Sequence, residues 1–418
     1  MFVVVMVAKK MRKIIVIIST FGPLHLMKSA DYISDLVDVS VIQGWLPGSF
    51  SKPLVKLCSK ISGRDLFKSF GKRYVRKVRR NDGVAIPEFY LWATKLFRFL
   101  RTNNSAMYAS LLYGFFSKKF IKNADVFHVR SGNGGAGAIK IAKKRGMKVL
   151  VDHSIAHTNF LRKTLNPEYK RLGLDCGYNT KFWDLITDNC IEADCILVNS
   201  DFVKQTFVEE GFEESKIKVA YLGVRPDFFS LKTSYDINGQ IQILFTGGFG
   251  IRKGARYIIE ATKLLDEMEI NYKIVVVGAC ETLEMDSLFK EYKSKNIQFV
   301  GFVPQDELKH YFINSDIYLF PSLAEGCASS GMEAMAAGLP VIATKESGLP
   351  IDSGKDGVVI KSKDSAEIVN AIMSLIKDKP KREKYGLNAA QKIKDNFSWE
   401  QYAKTVVSYY KELIENEG

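Results

Sequence analysis

The chain has 418 residues, 46% of them hydrophobic, which is enough for two or three domains with substantial cores. Its net charge of +14 resides in the first 230 residues, where 37 Lys and Arg face 20 Asp and Glu, whereas the remainder holds 23 against 26. The six cysteines form no Cys-x-x-Cys pair and have no His at metal spacing, which argues against a zinc module and for a reducing, cytoplasmic compartment. No helix-turn-helix, zinc-finger or RNA-recognition pattern supports nucleic acid as the partner of the basic half.

Apolar runs at Phe2–Ala8 and Ile14–Ile18 are broken by Lys9, Lys10, Arg12 and Lys13, so neither reaches the roughly 18 residues of a spanning helix. Met11 could equally begin the fold. Short Val/Ile-rich runs then alternate with helical segments, the pattern of parallel sheets covered on both faces. The first half offers strands at 14–19, 37–43, 124–130, 147–152, 194–199 and 217–222, and the second at 241–246, 273–278, 297–301, 317–320, 340–343 and 357–360. Residues 363–377, 380–394 and 399–414 read as closing helices, and Arg225 to Asn238 is polar and irregular, a natural hinge.

Between Lys52 and Arg80 stand eleven basic residues and one acid, Asp65. Leu54, Leu57, Ile61, Phe67, Phe70, Tyr74 and Val78 recur there at helical spacing, and Phe89, Tyr90, Trp92, Phe97 and Phe99 follow. A basic amphipathic helix followed by aromatics fits an anionic membrane surface; a solvated face over a core helix is the plainer alternative. Gly132-Asn133-Gly134-Gly135-Ala136-Gly137 follows a strand and precedes Asp152 by about twenty residues, which on paper is a dinucleotide fingerprint. It is a lone motif on a middle strand, and a tight strand-to-helix turn explains it equally well.

The most informative stretch is Glu325-Gly326-Cys327-Ala328-Ser329-Ser330-Gly331-Met332-Glu333. It follows the apolar Tyr318-Leu319-Phe320 and precedes Gly338 and Pro340, so it reads as strand end, loop and a short helix that can hardly begin before Ser329. Such a helix end offers backbone N–H groups and a positive dipole to phosphate. Ser330-x-x-Glu333 is also a capping box, which would give both residues a purely structural role. Upstream, the strand Ile241–Phe245 leads into Gly247-Gly248-Phe249-Gly250-Ile251-Arg252-Lys253-Gly254 and then a helix from about Ala255 to Leu265. This turn sets adjacent cations where a parallel sheet delivers them to its crevice.

These two elements together resemble the retaining, nucleotide-sugar-dependent glycosyltransferases of family 4 (glycosyl transferases group 1). The Glu-x7-Glu stretch is similar to the family's signature, and Arg252-Lys253 to its pyrophosphate-binding pair. The resemblance extends to Gly301-Phe302-Val303-Pro304, Leu308, Tyr311, Ser315-Asp316 and Phe320-Pro321-Ser322. Earlier segments share it, Ala193-Asp194-Cys195-Ile196-Leu197-Val198-Asn199-Ser200 and Tyr221-Leu222-Gly223-Val224, as does Phe397-Ser398-Trp399 near the end. From about residue 124 onward the match is close, and before residue 120 it is general.

The resemblance implies the α/β GT-B fold, two Rossmann-like parallel-sheet domains facing across a cleft. Residues 1–225 would form the acceptor domain, 226–240 a hinge, 241–396 the nucleotide-sugar domain, and 397–418 a helix crossing back to the first domain. It further implies that Arg252 and Lys253 neutralise the diphosphate, that Glu325 contacts the transferred sugar and that Glu333 holds the ribose. Amides of Ser329, Ser330, Gly331 and Met332 would lie near phosphate, Gly248 beside the donor, and the backbone around Val303 near the base. His153, at a strand's carboxyl end, matches a His beside the donor sugar, although a structural role suits it as well; His128 reads as scaffold. The family's glycine-rich loop after the first strand is represented only by Gly22, with His25 nearby. Cys327-Ala328-Ser329 departs from the family's usual residues, which leaves the sugar open. No Asp-x-Asp metal triplet is present, so no metal and no cofactor are expected; the partners are a nucleotide-sugar, a glycan or polyprenyl-linked acceptor, and the inner face of a membrane. A nucleotide-sugar epimerase of the same fold and a non-catalytic lipid-binding scaffold are the alternatives.

Overall fold

The computed structural model describes residues 13–22, 25–46, 56, 75, 77–280 and 282–415. Most of the basic amphipathic segment proposed between Leu54 and Val78 therefore lies outside the described residues, as do residues 1–12.

Alternating runs of Val and Ile build two parallel sheets. The first follows the order β1 (Ile15–Ser19), α1 (His25–Ile33), β2 (Asp38–Gly44), β3 (Arg80–Val84), α2 (Ile86–Leu96), α3 (Ser105–Ser117), β4 (Val126–Arg130), α4 (Ala138–Lys144), β5 (Lys148–His153), α5 (Thr158–Arg171), α6 (Lys181–Ile191), β6 (Cys195–Val198), α7 (Asp201–Val208) and β7 (Ile217–Val219). The second follows β8 (Ile241–Thr246), α8 (Ala255–Glu267), β9 (Tyr272–Val277), α9 (Thr282–Glu291), β10 (Ile297–Gly301), α10 (Gln305–Asn314), β11 (Ile317–Phe320), α11 (Ser329–Ala337), β12 (Val341–Thr344) and β13 (Val358–Ile360), then α12 (Ser365–Lys377), α13 (Lys379–Asn396) and α14 (Trp399–Glu415).

The strand orders are β3-β2-β1-β4-β5-β6-β7 and β10-β9-β8-β11-β12-β13. Both are doubly wound: the chain builds outward from a central strand, then returns to that strand's other side. Ligands bind such sheets beyond the strands' carboxyl ends, where the order reverses. In the second sheet that point lies between β8 and β11, which puts the turn after Thr246 next to the loop after Phe320.

Each of the twelve expected strands is present, and one more was not foreseen. β3, Arg-Asn-Asp-Gly-Val, begins where the basic stretch ends and belongs to no expected element; it pairs parallel with β2, Ser40 facing Arg80 through Gly44 facing Val84. Its polar sequence hides it because its side chains pair within the sheet edge: Gln43 Nε2 donates to Asn81 Oδ1 at 2.6 Å, and Arg80 pairs with Asp82.

The chain forms two compact units, one of residues 1–151, 192–194 and 406–418, the other of residues 152–191 and 195–405. In the first unit the end of α14 is anchored by Tyr410, whose buried hydroxyl meets Nδ1 of the buried His128 at 2.6 Å. The Gly132–Gly137 loop belongs here too. Asn133 Oδ1 accepts from Phe21 N at 2.9 Å, and a Cβ on Gly114 would sit 2.2 Å from the Gly135 carbonyl. The loop thus packs directly on α3.

In the second unit the segment after Arg225 is irregular yet firmly held. The amides of Ser230 and Lys232 donate to the carbonyls of Ala336 and Ala337 at 2.8 Å each, and Lys232 Nζ reaches Ser315 O at 2.7 Å. Tyr235 hydroxyl donates to Gly338 O at 2.7 Å. The core beneath is dry: Ile243, Leu244, Phe245, Leu319 and Phe320 are fully buried.

Candidate active site

The turn after β8 is shaped by glycine. Gly254 has φ +79°, and a Cβ there would lie 2.1 Å from the Pro321 carbonyl, so no other residue fits without displacing the backbone. This close approach knits the turn to the loop after β11: Leu323 N and Ser322 Oγ donate to Arg252 O at 2.8 and 3.1 Å.

Held so, Arg252 Nη1 lies 2.5 Å and Lys253 Nζ 3.2 Å from the same oxygen of Glu325, Oε1. Arg252 also donates to Ala324 O at 2.8 Å, and the Lys253 ammonium sits 4.7 Å above the Phe320 ring. The three side chains are 24%, 19% and 13% exposed. Burial works against the charged form of Arg252, but the Glu325 carboxylate outweighs it and holds the guanidinium above its ordinary range. Two cations thus share one carboxylate oxygen, a cluster with an excess of positive charge.

α11 begins at Ser329, where the sequence put it, but the capping box is absent. The N-cap is Ala328, with no side-chain bond to the helix. Ser330 instead accepts from Tyr318 hydroxyl at 3.0 Å and donates to Thr246 O at 3.3 Å, tying the helix to β8 and β11. Glu333 accepts from Gln305 Nε2 at 3.3 Å, which brings it beside the loop that carries Val303. The first amides of α11, at Ser329, Ser330 and Gly331, have no acceptor within the helix. Met332 is buried, and Gly331 leaves room for Leu349, whose methyl a Cβ would meet at 2.5 Å.

His153 ends β5, buried, with its ring 4.9 Å from that of Phe207. The next residue abuts Gly326: a Cβ there would meet Ser154 O at 2.1 Å and Asn199 Nδ2 at 2.7 Å. Ser200 Oγ donates to Gly326 O at 2.5 Å. The ends of β5 and β6 therefore flank the Glu325 loop. Cys327 is buried, and burial, helped by the nearby Glu325 carboxylate, pushes its thiol up.

A cavity of about 220 Å³ opens beside the cations, lined by Gly248, Gly250, Ile251, Arg252, Lys253, Tyr169, Tyr178 and Glu284. Glu284 buttresses the turn, accepting from Ile251 N at 2.5 Å and from Tyr169 hydroxyl at 2.7 Å. Sequence reasoning missed Tyr169, Tyr178 and Glu284, since each sits on a helix or turn with no local motif. Of the expected site residues, the structure gathers Arg252, Lys253 and Glu325, sets Ser329–Glu333 on the adjoining helix, Gly248 in the cavity wall and Val303 in the loop after β10. Gly22 belongs to the other unit, in the turn after β1, where its carbonyl accepts from Thr20 Oγ1 at 3.1 Å.

Residues 228–392 match the family described as "Glycosyl transferases group 1". This part of the chain is thus similar to group 1 glycosyltransferases. The glycosyltransferase AmsK of amylovoran biosynthesis in Erwinia amylovora is 29% identical over 238 residues, 54% of each chain. The chain thus spans about half the length of the curated relatives it matches. Among solved structures, a sucrose-phosphate synthase from Thermosynechococcus elongatus superimposes with TM-score 0.67 at 14% identity, covering 97% of this chain and 100% of that one. Anabaena HepE in complex with UDP gives 0.61 at 15% identity over 96% and 100%. At such identities the likeness establishes the fold, two Rossmann-like domains of the GT-B type. No described helix is long and apolar enough to cross a membrane.

Proposed function

We propose that the chain transfers a hexose-type sugar from a nucleoside diphosphate donor, UDP-sugar above all, with retention of anomeric configuration. The observation that carries this reading is the pair Arg252 and Lys253 converging on Glu325 beside the uncapped start of α11. The cations and the α11 amides hold the diphosphate, Gly248 and the cavity wall pass beside it, Glu333 takes the ribose hydroxyls and the Val303 loop the base. Glu325 and His153 position the sugar. The bond between the anomeric carbon and the β-phosphate oxygen breaks, and the acceptor hydroxyl bonds to that carbon on the same face. Its proton passes to the departing phosphate oxygen, releasing UDP. Negative charge grows on that oxygen in a partly dry site, where fixed cations stabilise it most. Arg252 and Lys253 fill the role a metal plays elsewhere, so neither metal nor cofactor takes part.

The acceptor is a glycan or polyprenyl-linked saccharide in envelope polysaccharide synthesis, met at the inner face of a membrane. The relative named for amylovoran biosynthesis supports the pathway class, and the UDP complex of HepE supports the base. Within this reading residues 1–225 receive the acceptor, 226–240 are the hinge, 241–396 bind the donor and 397–418 return to the first domain. The test is incubation with UDP-hexoses and a polyprenyl-diphosphate saccharide, with the product linkage read by NMR. An inverted linkage refutes retention; consumption of donor with free UDP and no acceptor product points to an epimerase instead.

A further inference from the structure

Helix α2 of the first unit is built inside out, and α3 beside it leaves aromatics on its outer face. α2 buries Pro87, Glu88 and Thr94 and turns outward Ile86, Phe89, Trp92 and Leu96, the last 76% exposed. Its continuation exposes Phe97 and, at 83%, Phe99. α3 buries Ala109, Ser110, Tyr113, Gly114 and Ser117 and leaves Tyr108 and Phe115 exposed. Each inward choice has a local cause. Glu88 Oε2 accepts from Trp45 N at 3.0 Å, and the glycine loop presses so close on Gly114 that only small residues fit there. Among the described residues, Phe89 and Trp92 meet the Trp45 ring at 5.6 and 5.8 Å and still remain 45% and 46% exposed. Contiguous apolar surface of this kind marks a site that meets something apolar.

The charges identify what that is. Residues 83–124 hold six Lys and Arg and a single acid, Glu88, which is buried. Lys118 lies 4.2 Å over the Phe115 ring and Lys119 4.6 Å over Phe120, so ammonium groups rim the aromatics. An aromatic and leucine face rimmed by cations, with no exposed carboxylate in the segment, has the chemistry of the bilayer interface.

We infer that the α2–α3 hairpin docks the protein on an anionic phospholipid surface, with Trp92, Leu96, Phe97 and Phe99 entering the headgroup region and Lys95, Arg101, Lys118 and Lys119 meeting lipid phosphate. This names the surface that brings the enzyme to a lipid-linked acceptor and rests on that reading for its purpose, while the docking itself is measured without catalysis. Vesicles of one-third phosphatidylglycerol in phosphatidylcholine, and of phosphatidylcholine alone, are sedimented with the full chain at low and high salt. The wild type is expected to bind the anionic vesicles, less so at high salt. The triple variant W92S/L96S/F99S is expected to bind at least roughly tenfold more weakly, with unchanged melting temperature. Replacing Lys95, Lys118 and Lys119 by Ser should remove the preference for anionic lipid, each engaged cation being worth about fivefold. Equal binding by the triple variant and the wild type overturns the inference, as does wild-type indifference to both vesicles at low salt. A dimer that the triple variant abolishes, without vesicle binding, assigns the face to a second copy and overturns it too. UDP affinity, measured in parallel, keeps the two ideas apart: its loss would sink the transferase reading and leave the docking standing.

Discussion

Glu325 pairs with the two cations that the proposed reading assigns to the diphosphate. Its Oε1 is within 2.5 Å of Arg252 and 3.2 Å of Lys253, so a nucleotide must share or displace these contacts to reach the cations. Glu325→Gln should therefore free both cations: UDP binds more tightly by about 1 kcal/mol, roughly fivefold, while turnover drops because the amide orients the sugar poorly. Isothermal titration of UDP against the variant decides, and a weaker affinity would show that Glu325 helps to hold the nucleotide rather than competing with it. Arg252→Ala and Lys253→Ala should each lower kcat by about 10²-fold or more, since each removes charge stabilisation that matters most at bond cleavage. Arg252→Ala should also lower the melting temperature, because the guanidinium braces Ala324 O and its loss leaves Glu325 partly buried with one cation fewer. Glu333 was ambiguous in the sequence, where the Ser330-x-x-Glu333 spacing satisfies a capping box. The backbone resolves it, since Ala328 is the N-cap and Ser330 is already inside the helix. Glu333→Ala should consequently leave the melting temperature within about 0.5 kcal/mol of wild type and weaken nucleotide binding. A clear stability loss with unchanged affinity would reverse that assignment.

At the level of elements, the buried strands could be read because parallel sheets covered on both faces demand continuous Val/Ile runs, as in Ile274 to Val277 and Val149 to Val151. β3 could not, because an edge strand paired through Asn, Asp and Arg carries no such run. The Glu325 loop and the turn at Arg252 were legible as motifs. Glu284 and Tyr169 were not, because their link spans 115 residues and leaves no periodicity. His157 is a similar case, a histidine used as a helix cap. Its Nδ1 accepts from Asn159 N at 3.2 Å at the start of α5, and its ring packs 4.9 Å from Phe207 and 5.5 Å from Phe212. Burial pushes the imidazole below its ordinary value of 6.5, against the opposing pull of Glu210 and with a smaller push from Arg162. The unfolded chain then binds a proton that the folded one refuses, so stability is full above 6.5 and declines as pH falls below it toward the folded value. Protonation also abolishes the Nδ1 acceptor. His157→Phe keeps the ring packing, so it should cost about 1 kcal/mol for the cap at neutral and higher pH, less as the wild-type imidazole protonates, and so flatten the melting-temperature profile between about pH 5 and 7. An unchanged acid slope in that variant would place the titrating group elsewhere.

Across the whole molecule, charge and fold divide the work. The excess of cations lies in the first 230 residues, while residues 231–418, with 23 Lys and Arg against 26 Asp and Glu, keep Arg252 and Lys253 at the switch point of the second sheet. That placement follows from topology: the order β9-β8-β11-β12 puts the carboxyl ends of β8 and β11 side by side, whatever the loops contain. The loops then supply two fixed cations, a carboxylate and an uncapped helix start, which together can neutralise a diphosphate from one side. A divalent ion would normally do this by bridging phosphate oxygens and would need carboxylates free to hold it. Here Glu325 is already committed to Arg252 and Lys253, and Glu284 to Ile251 N and the Tyr169 hydroxyl. The proposed transfer should therefore run at undiminished rate in EDTA and gain little from added Mg²⁺ or Mn²⁺. UDP release measured with chelator, with each ion and with neither is the check. Full loss of turnover in EDTA, restored by one of the ions, would mean that the cations at the β8 turn are not what balances the departing diphosphate.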